Sequence, residues 1–424
     1  MDDKSYSLRS KLLVCLTVAV VAVFIGVAVK TLTPVVVGEF LQGGGETTDT
    51  VPYPQPGDAE ISLDPNLSAE NYIAQGEAVF AATGWDKISY IVYNVGEEGY
   101  VARLGDALAP SSTANLGARA ASACLTQSGA AVAAIADGES FLYFIGSDGK
   151  ITRSERSYPG QTPIFTAFYD DCVAAVFTSE GAAGKRIVFR LFRDGAETCE
   201  RYANLSYDID AVEMYRTGDI YTLFYRFSSQ FSRGGGYALF SPETVSVTLT
   251  DIERSDGYDF LSVIPSRESF AMLCSDADGT FIMQLDENLD RSEKITLTDY
   301  AALSGRLSFD GKNYYAFVGG ASEGRMFRLD PGGEKTRITA YDTALSVAGE
   351  YNTGGALLHL LGSKNGFFLT DTNGLFTKKV SKPGAAPVAM LRTGGSVAAV
   401  CNISDQTSGS DGEKQHAVYI ALFN

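Results

Sequence analysis

Apolar residues in this chain fall in short, nearly unbroken stretches that return at a steady interval. They begin near Ala130 (AAVAAIA), Cys172 (CVAAVF), Asp219 (DIYTLFY), Ser269 (SFAMLC), Asn313 (NYYAFV), Ala356 (ALLHLL) and Ser396 (SVAAVC), in steps of 42, 47, 50, 44, 43 and 40 residues. A strand with one wet face alternates apolar and polar residues, so a continuous short run predicts a strand buried on both faces. A second strand follows each run and usually ends in a polar turn, as in LYFIGSDGK (142–150), FRLFRDGAE (189–197) and FRLDPGGEK (327–335). A third, more polar strand comes next, and another short strand precedes each buried run. Four strands every ~44 residues, divided by Gly, Asp and Asn turns, predict an all-β repeat protein. Four-stranded units stacked around an axis make a β-propeller, whereas a sandwich does not explain the period. Seven buried runs predict seven four-stranded blades. The last strand, AVYIALF, has no fourth strand after it. The hairpin ISYIVYNVGEEGYVARLG (88–105) could supply the missing edge and close the ring; because it holds two strands, eight blades is the alternative.

A different pattern precedes the repeats. Leu12 to Val29 carry no charge and are bracketed by Lys11 and Lys30. A run of this length approaches the ~20 apolar residues a helix needs to cross a bilayer, so one transmembrane helix is expected over 12–29. The alternative is a cleaved signal peptide, which has a shorter apolar core and small residues at its cleavage site. Lys4, Arg9 and Lys11 precede the helix, and no Lys or Arg follows Lys30 until Lys87. That bias places the N-terminus inside and the bulk outside. The expected division is a cytoplasmic tail (1–11), the membrane helix (12–29), an acidic Gly/Pro-containing linker (30–76) and an extracytoplasmic propeller (77–424).

The formal net charge of −17 excludes nucleic acid as a partner, since phosphates want a basic footprint. It also excludes a polybasic lipid-binding surface. Of six cysteines, Cys15 lies in the apolar run. Cys274 and Cys401 occupy the same position of different repeats. Cys172 and Cys199 fall two strands apart, roughly 10 Å at the usual strand spacing and beyond disulfide reach. All five outer cysteines are therefore expected as small apolar residues rather than bridges. The Asn-x-Ser triplets at Asn66, Asn204 and Asn402 are about as many as chance supplies.

On the second strand and its turn, as in FRLDPGGEK, the repeats over roughly residues 88–424 resemble those of quinoprotein-like β-propellers. They lack the Trp-Asp ending of WD repeats and the Trp that packs each quinoprotein repeat, Trp85 being the only tryptophan. The whole layout also resembles membrane-anchored propeller ectodomains from bacterial cell envelopes. Both resemblances imply a propeller and neither implies an activity. A quinone would stack on tryptophan and often on a vicinal cysteine pair, so no cofactor is expected.

Catalytic motifs are weak. Gly320-Ala321-Ser322-Glu323-Gly324 matches the nucleophile elbow G-x-S-x-G, but it joins two strands instead of a strand and a helix. Only His359 and His416 exist as bases. Two histidines and no C-x-x-C give no metal centre. Asp286 to Asp290 alternates oxygen ligands as calcium loops do, yet Arg291 stands where such a loop needs Gly. No catalytic residue and no metal ligand is assigned.

One recurrence points to a site. Just before the innermost strand of many repeats stands a Tyr, often beside an Asp: Tyr158, Tyr207-Asp208, Tyr258-Asp259, Asp299-Tyr300 and Tyr341-Asp342. The frames SYPGQTP (157–163) and SKPGAAP (381–387) place Lys382 where Tyr158 stands. Structurally, each Tyr packs between blades and each Asp caps a turn. Functionally, the set makes a rim suited to a cationic or sugar-like ligand. The expectation is a binding or scaffold module at the cell envelope, its partner another envelope protein or a surface ligand. An enzyme using the rim to act on a glycan is the alternative.

Overall fold

The computed structural model describes residues 66–423, apart from 106–107, 182–183, 206, 229–232, 245–246, 253–257, 266–269, 287–288, 322, 331–333, 342–345, 353–356, 364, 373–376, 394–395 and 405–415. The membrane helix expected at 12–29, the tail before it and most of the linker lie outside these residues. No helix of the described residues is long and apolar enough to cross a membrane.

Eight antiparallel sheets follow one another along the chain, which corrects the expected seven blades. Blades 1 to 7 span residues 77–115, 119–159, 161–205, 209–252, 259–298, 304–341 and 346–381, and blade 8 begins at 385. Blades 1 to 7 have four strands in sequence order, except that the outer edge of blade 2 is split into two short pieces. The first strands of neighbouring blades touch one another all the way round, so they are the innermost. The expected buried runs are the second strands. The eighth such run, Ser89–Val95, is almost wholly buried and belongs to the hairpin that the count of seven used as an edge. It is instead the middle of a complete blade, flanked by Glu77–Thr83 and Pro110–Asn115.

The ring closes through a strand further upstream. Leu67–Gln75, at the end of the stretch read as linker, pairs antiparallel with the final strand His416–Phe423 and becomes the outer strand of blade 8. Blade 8 is thus built from both ends of the described chain. The same fastening recurs at the two junctions that flank blade 1. Asn402 of blade 8 accepts from the Ala78 backbone N–H (2.7 Å) and donates to the Ala78 carbonyl (3.0 Å). Asn94 of blade 1 makes the same pair of bonds with Ala120 of blade 2, both at 2.8 Å. A carboxamide carries one donor and one acceptor in the spacing of a backbone peptide, so it completes the neighbouring strand like one more ladder rung.

Ala78 and Ala120 are held there because the inner strand breaks its register at that point. In seven blades it skips one residue within its first few pairs: after Ala78, Ala120, Pro163, Ile209, Phe260, Val347 and Pro387. Only blade 6 pairs without a shift. Such a bulge adds twist and leaves a peptide unpaired in the ladder, which the Asn side chain satisfies at two of the junctions. The tight turns are chemically specified as well. Asp137-Gly138 and Asp194-Gly195 both adopt positive φ, the two-residue turn that matches strand twist.

The core lies between blades, as stacked sheets require. Cys172, Val176 and Phe189 of blade 3 pack with Leu223, Tyr225 and Phe240 of blade 4. All five described cysteines are free, four of them buried and Cys199 half-buried. Cys172 and Cys199 are separated by the strand Gly184–Arg193, as expected. Burial pushes the Cys124 thiol up to about 12.

Candidate functional site

Strand order fixes two faces. Turns from first to second and from third to fourth strand lie on one face. Turns from second to third strand and the crossovers to the next blade lie on the other, here called the crossover face. Every residue of the recurring Tyr/Asp set that is described lies in a crossover or at the end of a strand beside one, so sequence reasoning gathered positions of one face. Tyr341 ends the outer strand Lys335–Tyr341, and Asp342 lies outside the described residues.

At the crossovers into blades 3 to 6 a tyrosine packs onto the blade the chain is about to enter, and in several of them a cation covers it. Tyr158, 1% exposed, lies between Phe177 and Phe192 of blade 3, with the Arg190 guanidinium 4.1 Å from its ring centre. Its hydroxyl donates to Glu197 at 2.7 Å. Arg190, equally buried, pairs with Glu197 at 2.8 Å and Glu200 at 2.6 Å. Burial and the Glu197 carboxylate together push the Tyr158 hydroxyl well above its ordinary value. Tyr258 stands edge-on to Phe281, with Lys294 5.5 Å away. Tyr300 lies under Arg325 at 5.0 Å. In blade 8 the pair is exchanged: Lys382 takes the Tyr place and sits 4.6 Å over Tyr419 of the third strand, while Glu70 of the closing strand accepts from the Tyr419 hydroxyl and faces Lys382 at 3.5 Å. The shared SYPG and SKPG frames are therefore one ring–cation clasp with its partners swapped. Sequence reasoning found the tyrosines and Lys382 and missed their partners Arg190, Lys294, Arg325 and Tyr419, which stand 25 to 37 residues further on.

The aspartates are less buried. Asp208 and Asp299 are exposed and Asp259 is half-buried. Asp208 pairs with Lys185 near the start of the third strand of blade 3. Around them the crossover face holds a concavity of about 250 Å³, to which Thr162, Ser179, Lys185, Arg186, Tyr207 and Asp208 contribute. Tyr207 is held flat against Phe227, ring centres 3.7 Å apart. Of the predicted residues, only Tyr207 and Asp208 meet in this hollow.

The rejected motifs fall where strands turn. Gly320 donates to the Glu323 carbonyl between the strands Tyr314–Gly319 and Gly324–Leu329. The backbone N–H groups of Leu289 and Asp290 both close back onto Asp286. Among the described residues no three His, Cys, Asp or Glu side chains converge as metal ligands. His359 is fully buried against Phe317, ring centres 4.4 Å apart. Its two nitrogens have no hydrogen-bond partner among the described residues.

No family model matches this sequence, and no curated protein sequence matches it. Solved propellers do match the fold. The chain is similar to the Dos1 propeller, with 11% identity over 84% of this chain and 94% of that one, at a TM-score of 0.57. Weaker likenesses are to the propeller domain of the Trilobed protease from Pyrococcus furiosus (9% identity, 74% of this chain and 97% of that one, TM-score 0.46) and to a prolyl endopeptidase (12%, 81% and 56%, TM-score 0.49). At these identities the likeness establishes the β-propeller architecture and leaves the quinoprotein-like family expectation without support.

Proposed function

We propose that this chain is a binding module at a cell envelope, and that the hollow beside blade 3 on its crossover face takes a neutral, sugar-like ligand. The observation that carries this reading is the composition of the hollow. Hydroxyls of Thr162, Thr178 and Ser179 line it beside Lys185 and Asp208, whose charges offset one another, and beside the ring of Tyr207. Balanced charges give little net pull on an ion. They do offer donors and acceptors to a polyhydroxylated molecule, and an aromatic face covers its apolar side. The envelope location rests on the apolar run 12–29 and its Lys/Arg bias.

The test is retention on an array of soluble cell-wall glycans, using the whole chain in detergent. The wild-type chain binds, and Lys185→Ala combined with Asp208→Ala weakens binding at least ~10-fold, the loss of about 1.4 kcal/mol. Melting temperature changes by no more than ~3 °C, because an exposed ion pair contributes roughly 1 kcal/mol at most. Failure to bind any glycan, or equal binding by the double variant, contradicts the reading.

A further inference from the structure

The opposite face carries a second and larger hollow, about 380 Å³, between blades 2 and 3. Four turns build it: the first-to-second and third-to-fourth turns of both blades. Its floor is aromatic. Phe192 is fully buried there, and Phe144 and Phe168 are half-buried, with the Phe144 and Phe192 ring centres 6.4 Å apart. Gly195, at φ +82°, lies over Phe144, where a side chain's first carbon would come to 3.9 Å of the ring. Its lining carries three carboxylates, Asp148, Asp171 and Asp194, and the cation Lys150. Asp171 is engaged by Arg193 at 2.9 Å. Asp148 and Asp194 are exposed.

We propose that this hollow is a binding site for an organic cation, an amine or guanidinium borne on an apolar stem. An apolar stem fits the three-phenylalanine floor, and a positive head gains both the carboxylates and the negative faces of the rings. The net charge of −17 adds a general field that draws such a group in. A free polyamine and the lysine side chain of a partner protein share this chemistry. The site differs from the balanced-charge hollow of the crossover face in its location, its floor and its sign.

The test is calorimetric titration of the whole chain with spermidine, with a lysine-rich hexapeptide, and with the same peptide acetylated at every lysine. Binding by either unmodified probe, weakening as salt rises, supports the site. Spermidine alone binding marks a free amine as the ligand; the peptide binding more tightly marks a protein partner. Asp148→Asn with Asp194→Asn lowers that affinity at least ~10-fold. Asn keeps the acceptor that Asp148 offers the Lys150 N–H (2.9 Å) and tolerates the positive φ of position 194, so the fold and its melting temperature stay unchanged. Phe168→Ser weakens binding independently of charge. Lys185→Ala with Asp208→Ala leaves it untouched, which separates this site from the glycan reading. No binding by either unmodified probe, equal binding of the acetylated peptide, or indifference to the double Asn variant overturns the proposal.

Discussion

A chain cut back to begin at residue 77 loses cooperative folding, whereas one beginning at residue 66 melts as the full chain does. The cut removes Leu67–Gln75, which pairs with the final strand at seven positions from Leu67↔Phe423 to Gln75↔Ala417. It withdraws the buried Leu67 side chain, the Tyr72–Tyr419 contact at 5.3 Å and the Glu70 carboxylate that joins Tyr419 to Lys382. One buried leucine contributes about 1.5–3 kcal/mol, an aromatic pair about 1 and each ladder bond roughly 1. The sum exceeds ~5 kcal/mol, comparable to the whole stability of many domains. The naked edge of His416–Phe423 would also invite association with another chain. Urea unfolding of the two truncations reads the outcome. Equal midpoints would mean that the N-terminal strand does not close the ring.

Replacing His359 by Leu flattens the acid sensitivity of the fold. Burial, reinforced by the Arg306 charge, drives the imidazole down to about 3, against roughly 6.5 in an unfolded chain. Its strand neighbours across the sheet are Glu350 and Thr370. The folded value is the lower one, so the unfolded chain takes up the proton first. Stability is complete above pH ~6.5 and falls as the pH drops toward 3, by about 1.4 kcal/mol per unit. At pH 4.5 the wild type has lost about 2.7 kcal/mol through this one group. Many carboxylates titrate in the same range, so the informative quantity is the difference between wild type and variant. His359→Leu should be at least as stable at pH 7, because it removes two buried nitrogens that have no partner among the described residues. Its advantage should then widen on acidification. Parallel stability curves for wild type and His359→Leu between pH 7 and 4.5 would contradict the account.

The architecture was readable where burial wrote a repeating signal. Second strands such as SFAMLC and SVAAVC announce themselves because both their faces are covered, and their spacing gives the propeller. Blade 1 escaped because only its middle hairpin carries that signal. Its outer strand PSSTAN is polar and exposed, and its inner strand EAVFAAT contains a bulge that breaks two-residue alternation. The closing strand LSAENYIAQ is half-buried along most of its length and adjoins a Pro- and Gly-containing stretch, so composition assigned it to the linker. At the crossovers, local sequence revealed the tyrosines. It could not reveal that Arg190, Lys294 and Arg325 cover them, since those contacts join residues dozens of positions apart. Nor could it reveal the three-phenylalanine floor, which exists only once blades 2 and 3 stand side by side.

Everything placed on the two faces depends on an eight-bladed ring fastened by its own N-terminal strand. Hydrogen exchange of the full chain, followed at residues 67–75, tests that most directly. The amides that ladder with 416–423 should be protected to the same degree as the amides of the final strand itself, because opening one edge of blade 8 exposes the other. Exchange at the rate of an unstructured linker across 67–75, with 416–423 still protected, would contradict it.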